Sequence, residues 1–446
     1  MSGKALLILV IGFTMLFVVM GYFWGGIATD SVDNHTSYYK NTIAHNIAVS
    51  GANIGLQKAI ADSNLSGLLV DEEFENGDMQ VNITTAHLPV RTLTSLGNFM
   101  GVVSKVKIKL MRDQTSLAKY AWFIPGTSTG SLNRPWITGD TVFGGFHSNQ
   151  FLVVNGDPVF QGKVTTLKGI HDQAKAPYYP SDPVFLGGYQ EGIDVNWSKS
   201  MHYPNYAVLA ETPNVNNFSN VDLWLKFNGD GTVTYAYAKG AGNDSTKYPA
   251  RVTVPVETMA PNNLIYLNGG DVYLSGTLDG NVTVVAEGSS GAGAGNVFLV
   301  GDMVYKEDPM IPNGSGGYMA NPECDDMMGI VATNNILVST NDQTNNLGGY
   351  NNNVLDPDIH IDAGIFCNSG GFSVEKLGSP PANVPLGSIY LQGSMTAGKE
   401  EVVAQFSGST VSAGYNRHVI FDERFATGPP MWFVYITYYR AVSWLE

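Results

Sequence analysis

The chain has 446 residues and a net charge of −15, with 14% charged and 11% aromatic residues. This composition excludes a disordered chain, because disordered chains are poor in aromatic residues and rich in charge. The acidic balance also argues against nucleic acid as a partner, since phosphate binding needs a basic surface. We therefore expect a folded body outside the cell, and the length allows two or three domains.

Residues 5–29 form a run without a charged side chain. A helix of about 20 apolar residues crosses a bilayer, so this run is long enough to span a membrane. Three interpretations compete: a cleaved signal peptide, a plain membrane anchor, and a helix that assembles with copies of itself. Lys4 and the cleavage-like site Gly26-Ile27-Ala28 fit a signal peptide, but the apolar stretch of a signal peptide is about 7–15 residues long, and this one is longer.

Helical periodicity continues after the apolar run, and no proline occurs in 30–62. The pattern predicts a transmembrane or filament-core helix over 1–62; its stretch 5–62 would be about 87 Å long at 1.5 Å per residue. Small residues spaced three and four apart let helices approach closely, which favours a bundle of copies. The predicted assembly surface consists of Leu6, Leu7, Ile8, Val10, Ile11, Phe13, Leu16, Phe17, Val19, Tyr22, Ile43, Ile47, Gly51, Ala52 and Gly55.

Alternating strands follow the helix, at 79–84 and 102–110. A small antiparallel sheet over 63–135 can cover one side of the helix. From residue 136 onward the runs are four to six residues long and end at glycine or asparagine. Short, evenly spaced strands of this kind favour a β-solenoid over a β-sandwich, which prefers longer hairpin strands. We predict an α+β fold with a mainly-β, right-handed β-solenoid over 136–430.

Residues 431–446 are crowded with large aromatic side chains and predict a final strand. One interpretation is a strand that caps the solenoid or packs on the helix. The other is a contact between subunits, because tyrosine and tryptophan are favoured in interfaces. The candidate contact residues are Trp432, Tyr435, Tyr438, Tyr439 and Trp444.

Cys324 and Cys367 are the two cysteines. An even number in an exported chain permits one disulfide, and two free thiols are the alternative. No Cys/His spacing typical of a metal site occurs.

Acidic residues are the candidates for catalysis or calcium binding. Paired carboxylates held about 5–10 Å apart hydrolyse glycosides, and the candidates are Asp325, Asp326, Asp356, Asp358, Asp362, Asp422 and Glu423. Turn chemistry explains the 356–362 loop better, although its oxygens also suit calcium. His147 near Ser148 and Asn149 is typical of a turn that bonds the next coil. We expect no enzyme activity and no cofactor, with calcium as the one candidate ion.

Several stretches in order resemble a group of large pilin-like proteins of Gram-negative bacteria, which combine a type IV pilin-type N-terminal helix with a β-solenoid. The stretches are the N-terminal run, 48–60, 144–166, 270–288 and 414–430. Type IV pilins carry a leader that ends in glycine and a glutamate at the fifth mature residue. Gly3 could end a leader, but the fifth residue after it is Ile8, and no acid occurs in 1–29.

The resemblance implies a structural subunit of an extracellular filament of the type IV pilus kind. Its partners would be copies of itself, the inner membrane before assembly, and the pilus assembly machinery, with no nucleic acid. Its location would be a cell-surface filament. Two alternatives stay open: a minor or tip pilin with an adhesive role, and a membrane-anchored protein that binds or cleaves carbohydrate.

Overall fold

A computed structural model describes residues 3–62, 64–85, 89–126, 134–173, 181–195, 201–210, 217–248, 250–288, 293–339, 347, 358–380, 382–408 and 410–445. The fold is α+β, with a long N-terminal helix and a large mainly-β domain, as the sequence predicts. The chain divides into two compact units, of which the first is Met1–Asp113 with Thr437–Glu446 and the second is Gln114–Ile436. The first unit thus joins segments that the sequence separates as 1–62, 63–135 and 431–446.

Three α-helices and 33 strands are described, together with 3-10 helices at Leu117–Lys119, Ser245–Lys247 and Glu423–Ala426. In chain order the elements are α1 (Gly3–Ala61), β1 (Gly67–Phe74), β2 (Gly77–Ile83), β3 (Val90–Phe99), β4 (Val102–Ser116), β5 (Trp122–Ile124), β6 (Trp136–Ile137), β7 (Thr141–Phe143), β8 (Phe146–Ser148), β9 (Leu152–Asn155), β10 (Val159–Phe160), β11 (Val164–Thr166), β12 (Ile170–Asp172), β13 (Val184–Phe185), β14 (Tyr189–Glu191), β15 (Met201–His202), α2 (Tyr206–Ala210), β16 (Asn217–Ser219), β17 (Asp222–Asn228), β18 (Thr232–Ala238), β19 (Val252–Pro255), α3 (Val256–Met259), β20 (Leu264–Asn268), β21 (Val272–Leu278), β22 (Asn281–Glu287), β23 (Val297–Tyr305), β24 (Met310–Pro312), β25 (Tyr318–Ala320), β26 (Met327–Ala332), β27 (Ile336–Val338), β28 (Ile359–Cys367), β29 (Phe372–Val374), β30 (Pro385–Ala397), β31 (Ala404–Ser407), β32 (Thr410–Phe421) and β33 (Tyr435–Leu445).

The first unit is a helix packed on an antiparallel sheet. Strands β1 to β4 pair in chain order, and β33 lies beside β4. Strand β2 alternates strictly between buried and exposed residues, so one face of the sheet covers α1 and the other faces solvent. The C-terminal half of α1 packs on β2 and β3 through Ala44, Ile47, Ala48 and Ala52.

Glycines set the close approach of helix and sheet. A Cβ on Gly51 would lie 2.4 Å from Ser95 Oγ, and one on Gly55 would lie 2.6 Å from Val81 Cγ1. Because these small residues, with Ala52, are buried by the unit's own sheet, the stripe serves packing within the subunit. The prediction that this stripe brings neighbouring helices together is therefore corrected.

A buried arginine ties the C-terminal strand to this core. Arg91 is fully buried, and its guanidinium donates to Leu65 O and Thr84 O. The same guanidinium lies over the Tyr439 ring, 4.9 Å from the centroid. Tyr439 is itself buried in the first unit's apolar cluster, so residues near the end of the chain complete a core begun by the N-terminal helix.

The second unit is built from strands stacked in parallel. One stack of ten strands runs, in spatial order, β16, β20, β22, β26, β28, β30, β5, β8, β11 and β14. A second parallel stack consists of β17, β21, β23, β27 and β29. Inward-facing aliphatic and aromatic side chains of these strands form one large apolar cluster.

Spatial order and chain order differ in this unit. The chain enters the ten-strand stack in the middle, at β5, and runs to one end at β14. It then reappears at the opposite end, at β16, and returns to the middle at β30. The connection contacts the stack along its length: Val195 bonds Asn149, Tyr203 packs edge-on against Phe366, and Leu209 O accepts from Asn262 Nδ2.

Polar side chains at one turn bond from strand to strand of the second stack. Asp271 Oδ1 accepts the backbone N–H of Asn296 at 2.9 Å, and Asn296 Oδ1 accepts that of Asn335 at 3.0 Å. Asn335 Oδ1 in turn accepts from Gly371 N at 3.1 Å. Such a ladder satisfies buried backbone donors where the strands end.

The segment 228–232 is a hairpin turn, as predicted. Strands β17 and β18 pair antiparallel, from Asp222 opposite Ala238 to Phe227 opposite Val233. Strand β19 extends this hairpin on its far side.

Candidate functional site

The N-terminal half of α1 is an exposed apolar rod. The helix has 59 residues, and every side chain in 3–39 is exposed. Its most apolar 18-residue window has a mean hydropathy of 2.6 and no buried residue. By length and composition this is a helix that can cross a membrane.

The predicted assembly residues divide into two groups at the middle of α1. The exposed group is Leu6, Leu7, Ile8, Val10, Ile11, Phe13, Leu16, Phe17, Val19 and Tyr22. In the other group, Ile47, Gly51, Ala52 and Gly55 are buried or nearly so against the sheet of the first unit, and Ile43 packs at its edge. The first group is therefore the surface that is free to contact lipid or another copy.

Polar groups within the apolar rod are satisfied internally. Thr14 Oγ1 donates to Val10 O at 2.6 Å, and Thr29 Oγ1 donates to Gly25 O at 2.9 Å. Hydroxyls bonded to the preceding turn add no unsatisfied donor in an apolar surrounding. The rod can therefore enter lipid or a bundle of helices without leaving these two hydroxyls unpaired.

The C-terminal aromatic residues have several roles. Tyr439 is buried in the first unit and Trp444 packs at the edge of the same cluster, which agrees with packing on the helix. In the second unit, Trp432 Nε1 donates to Asn262 O at 2.7 Å. Tyr435 and Tyr438 are partly exposed, so part of each ring faces solvent.

Trp432 and Tyr435 also line a cavity of the second unit, of about 690 Å³. Its walls are mainly apolar, with Val208, Leu209 and Phe433 among them. Lys119 also lines it, and burial lowers the pKa of this ammonium group. The cavity has the size of a small-molecule site, but its described lining contains no carboxylate and no paired catalytic groups.

His147 is held in a structural network. Its Nδ1 and Nε2 lie 2.7 Å from Thr165 Oγ1 and Asn149 Oδ1, respectively. Thr165 belongs to the next strand of the stack, as the turn interpretation predicts. Burial lowers the pKa of His147, and the imidazole is fully enclosed. The histidine is therefore placed to join neighbouring strands of the stack.

The candidate carboxylates also bond backbone groups. Asp326 accepts from Gly280 N and Lys306 N, Asp362 accepts from Tyr305 N, and Asp358 accepts from Ser388 N. Asp422 pairs with Arg424, while Asp325 is exposed. Asp356 lies outside the described residues. Among the described residues, no group of three or more His, Cys, Asp or Glu side chains is arranged to hold a metal ion.

The two cysteines are free, buried thiols, so the disulfide alternative is not what the structure contains. Cys324 Sγ lies 3.1 Å from Arg424 Nη1. Cys367 ends β28, fully buried in the apolar cluster. The two thiols therefore lie in different surroundings, and each is enclosed by its own neighbours.

The outer face of the first unit's sheet carries exposed charges that the sequence analysis overlooked. Lys105, Lys107 and Lys109 are exposed on β4, and Asp71 and Glu73 are exposed on β1. The signal was present in the alternation VVSKVKIKL, in which every second residue from 105 is lysine.

Comparisons with known proteins give a structural similarity. No protein-family model and no curated protein matches the chain. Among solved structures, the competence-associated pilin ComZ from Thermus thermophilus is similar over 90% of this chain and 97% of that chain. The two share 10% sequence identity, with a TM-score of 0.34, and we rest no functional conclusion on a similarity of this size.

Proposed function

We propose that this protein is a structural subunit of an extracellular filament of the type IV pilus kind. One observation carries the proposal: a single continuous helix is exposed over 3–39, where it contains the uncharged apolar run 5–29, and is buried against a sheet in its C-terminal half. A plain anchor needs about 20 apolar residues. It does not need the further exposed helix at 30–39, about three turns, before the packed part begins.

The physical logic is an exchange of surroundings. Before assembly the apolar half lies in the inner membrane, where lipid covers it. In the filament, copies of the same half cover one another, and the folded units lie outside the bundle. The partners are therefore copies of this chain, the membrane, and the machinery that extracts subunits from it.

Register in such a bundle would depend on shape. No acid occurs in 1–29, so a buried charge pair between neighbouring helices is not built into this segment. A buried carboxylate would be costly without a partner. We propose that the large side chains of the exposed group, such as Phe13, Phe17 and Tyr22, set the register by packing.

We further propose that the second unit is a right-handed β-solenoid. The in-register parallel stacks and the Asp271–Asn296–Asn335 ladder support this, because both repeat from coil to coil. An experimentally determined structure at side-chain resolution tests the hand of the coil, and a left-handed or open arrangement contradicts it.

The function is tested by shearing cells that produce the chain. We expect the sheared fraction to contain filaments in which this chain is the bulk protein. A few copies per filament would instead identify a minor or tip subunit. Sheared material without filaments, from cells that hold the protein in their membranes, would contradict the proposal.

A matched pair of variants isolates the helix. Phe13→Glu places a charge in the apolar half, which costs about 3 kcal/mol at the centre of a membrane helix. The remaining apolar residues still favour insertion, so we expect the membrane-bound amount to stay within twofold while the filament yield falls at least tenfold. Phe13→Leu is the control and should assemble. Equal yields from both variants would show that this surface is not packed in a bundle.

A further inference from the structure

Two rows of opposite charge lie on the solvent face of the first unit's sheet. The basic row is Lys105, Lys107 and Lys109 on β4. The acidic row is Asp71 and Glu73 on β1 with Asp78 on β2. All six side chains are exposed.

Strand register places both rows on one face. Asp71 lies opposite Gln80, Gln80 opposite Leu96, and Leu96 opposite Lys105. Residues directly opposite one another in antiparallel strands point to the same side of the sheet. The face opposite α1 therefore changes from acidic at β1 to basic at β4, and β3 contributes no charged residue to this face.

The rows do not neutralise each other. Strand β1 lies three strand spacings from β4, about 14 Å at 4.8 Å per spacing, and β2, which carries Asp78, lies two spacings from β4, about 10 Å. Both separations exceed the Debye length of about 8 Å at physiological ionic strength. Within the part of the chain that the structure describes, the three lysines and the β1 acids form no ion pair. Asp78 accepts one neutral hydrogen bond, from Asn98 Nδ2.

We propose that these two rows are a subunit contact, in which the basic row of one copy meets the acidic row of the next copy. The proposal rests on the filament function stated above and names the surface that its neighbours share. A second copy is favoured as the partner because the complementary charges are present on the same face. The net charge of −15 disfavours an extended polyanion.

The arrangement of the rows also fits a filament. Two copies that are offset sideways, so that the basic row of one meets the acidic row of the next, make a heterologous contact, which repeats from copy to copy and forms a ring or an open helical polymer. A twofold face-to-face contact that pairs both rows at once would instead stop at a dimer. Each subunit in the proposed contact gives one row and receives the other.

Charge exchange tests the contact in cells that produce the full chain. The first variant carries Lys105→Glu, Lys107→Glu and Lys109→Glu, and the second carries Asp71→Lys, Glu73→Lys and Asp78→Lys. Each alone should lower the sheared filament yield at least tenfold at an unchanged cellular level. Combining all six changes should restore the yield to within about threefold. Co-expressing the two variants should also restore it, with both subunits present in the same filaments.

Controls separate this contact from folding and from the filament function. Lys226→Glu, Lys239→Glu and Lys399→Glu make the same change in net charge in the second unit, at three exposed positions, and should assemble. If the lysine-to-glutamate variant does not accumulate, the same lysines changed to glutamine should still lower the yield severalfold.

The outcomes are distinguishable. Wild-type cells without filaments would contradict the proposed function itself. Wild-type filaments with an unaffected first variant would overturn only the contact. The contact is also overturned if both variants fail and neither the combined change nor co-expression restores assembly. Loss of adhesion to an acidic polymer at full filament yield would assign the lysines to that partner and overturn the contact as well.

Discussion

Arg417 and Asp140, which are far apart in the sequence, form a buried ion pair in which both the backbone and the side chain of Arg417 donate hydrogen bonds to the carboxylate. The Arg417 backbone N–H donates to Asp140 Oδ1 at 2.8 Å, and its Nε donates to Oδ2 at 3.1 Å. The guanidinium also lies over the Trp136 ring, 3.8 Å from the centroid. This pair joins β32 to the residue directly before β7, and β32 and β7 are themselves paired in parallel.

Breaking this pair should strongly destabilise the second unit. Arg417→Met leaves the Asp140 carboxylate buried without its cation, which costs about 3–5 kcal/mol. We expect a matching decrease in the free energy of unfolding, measured by denaturant titration of the detergent-solubilised full chain with tryptophan fluorescence.

Two further variants check this interpretation. Adding Asp140→Asn to Arg417→Met should recover part of the loss, because no charge is then left unpaired; a purely additive double variant would contradict coupling. Lys306→Met removes the exposed pair with Asp279 and should have little effect on the free energy of unfolding, because water screens an exposed pair.

Glycines on the same helix should respond differently to one methyl group. Alanine is favoured over glycine by about 1 kcal/mol within a helix. Gly12 has open space around it, so Gly12→Ala should be neutral or stabilising. Gly51→Ala forces Ser95 and Met79 aside and should destabilise the first unit by about 1–3 kcal/mol. Limited proteolysis of the full chain reports this, and equal resistance of the two variants would contradict the close packing.

Asp362 should make the second unit less stable as pH rises. Burial raises the pKa of this carboxyl to about 7. Between pH 4 and 7 the folded chain therefore holds a proton that the unfolded chain has lost, so the free energy of unfolding falls with pH across this window. Asp362→Asn keeps a neutral side chain and removes this contribution.

We expect the stability of Asp362→Asn relative to wild type to increase from pH 4 to pH 7 and then level off, by a few kcal/mol in order of magnitude. Unfolding titrations at several pH values measure the difference. Asp325→Asn changes an exposed residue and serves as the control. A wild type and an Asp362→Asn variant with parallel pH profiles would contradict the buried, protonated carboxyl.

Both cysteines should be unreactive in the folded chain and titrate as free thiols after unfolding. Burial raises the pKa of Cys367 to about 12 and raises that of Cys324. A thiol reagent should therefore label neither at neutral pH. In denaturant without reductant it should label two thiols per chain. A requirement for reductant would show that they form a disulfide.

Local patterns predicted local structure well. The helix over 1–62, the antiparallel strands after it and the hairpin at 228–232 follow from periodicity and turn chemistry, which act between near neighbours. The sequence of the second unit also contains a repeat that its strand pattern alone did not reveal. The repeat consists of DLWL at 222, DVYL at 271, NVFL at 296 and NILV at 335. The first side chain of each motif bonds the backbone at the start of the next strand of the stack.

Long-range pairings were not predictable from the same patterns. Trp122 pairs with Met395, although nothing near either residue marks the other as its neighbour. The small residues at 51, 52 and 55 have the same spacing whether a sheet or another helix covers them. Tyr439 likewise has no local signal for the Arg91 core. These pairings depend on which surfaces remain open after the local elements have formed.

The order in which strands join has a consequence for synthesis. Strand β5 can pair with β30 only after β30 has been synthesised. The core around Arg91 is likewise complete only once Tyr439 is present. A chain that stops early therefore leaves both units unfinished, with β4 unpaired at one edge. The exposed surface of the first unit, through which we propose that neighbours meet, is therefore finished only after β33 has been added.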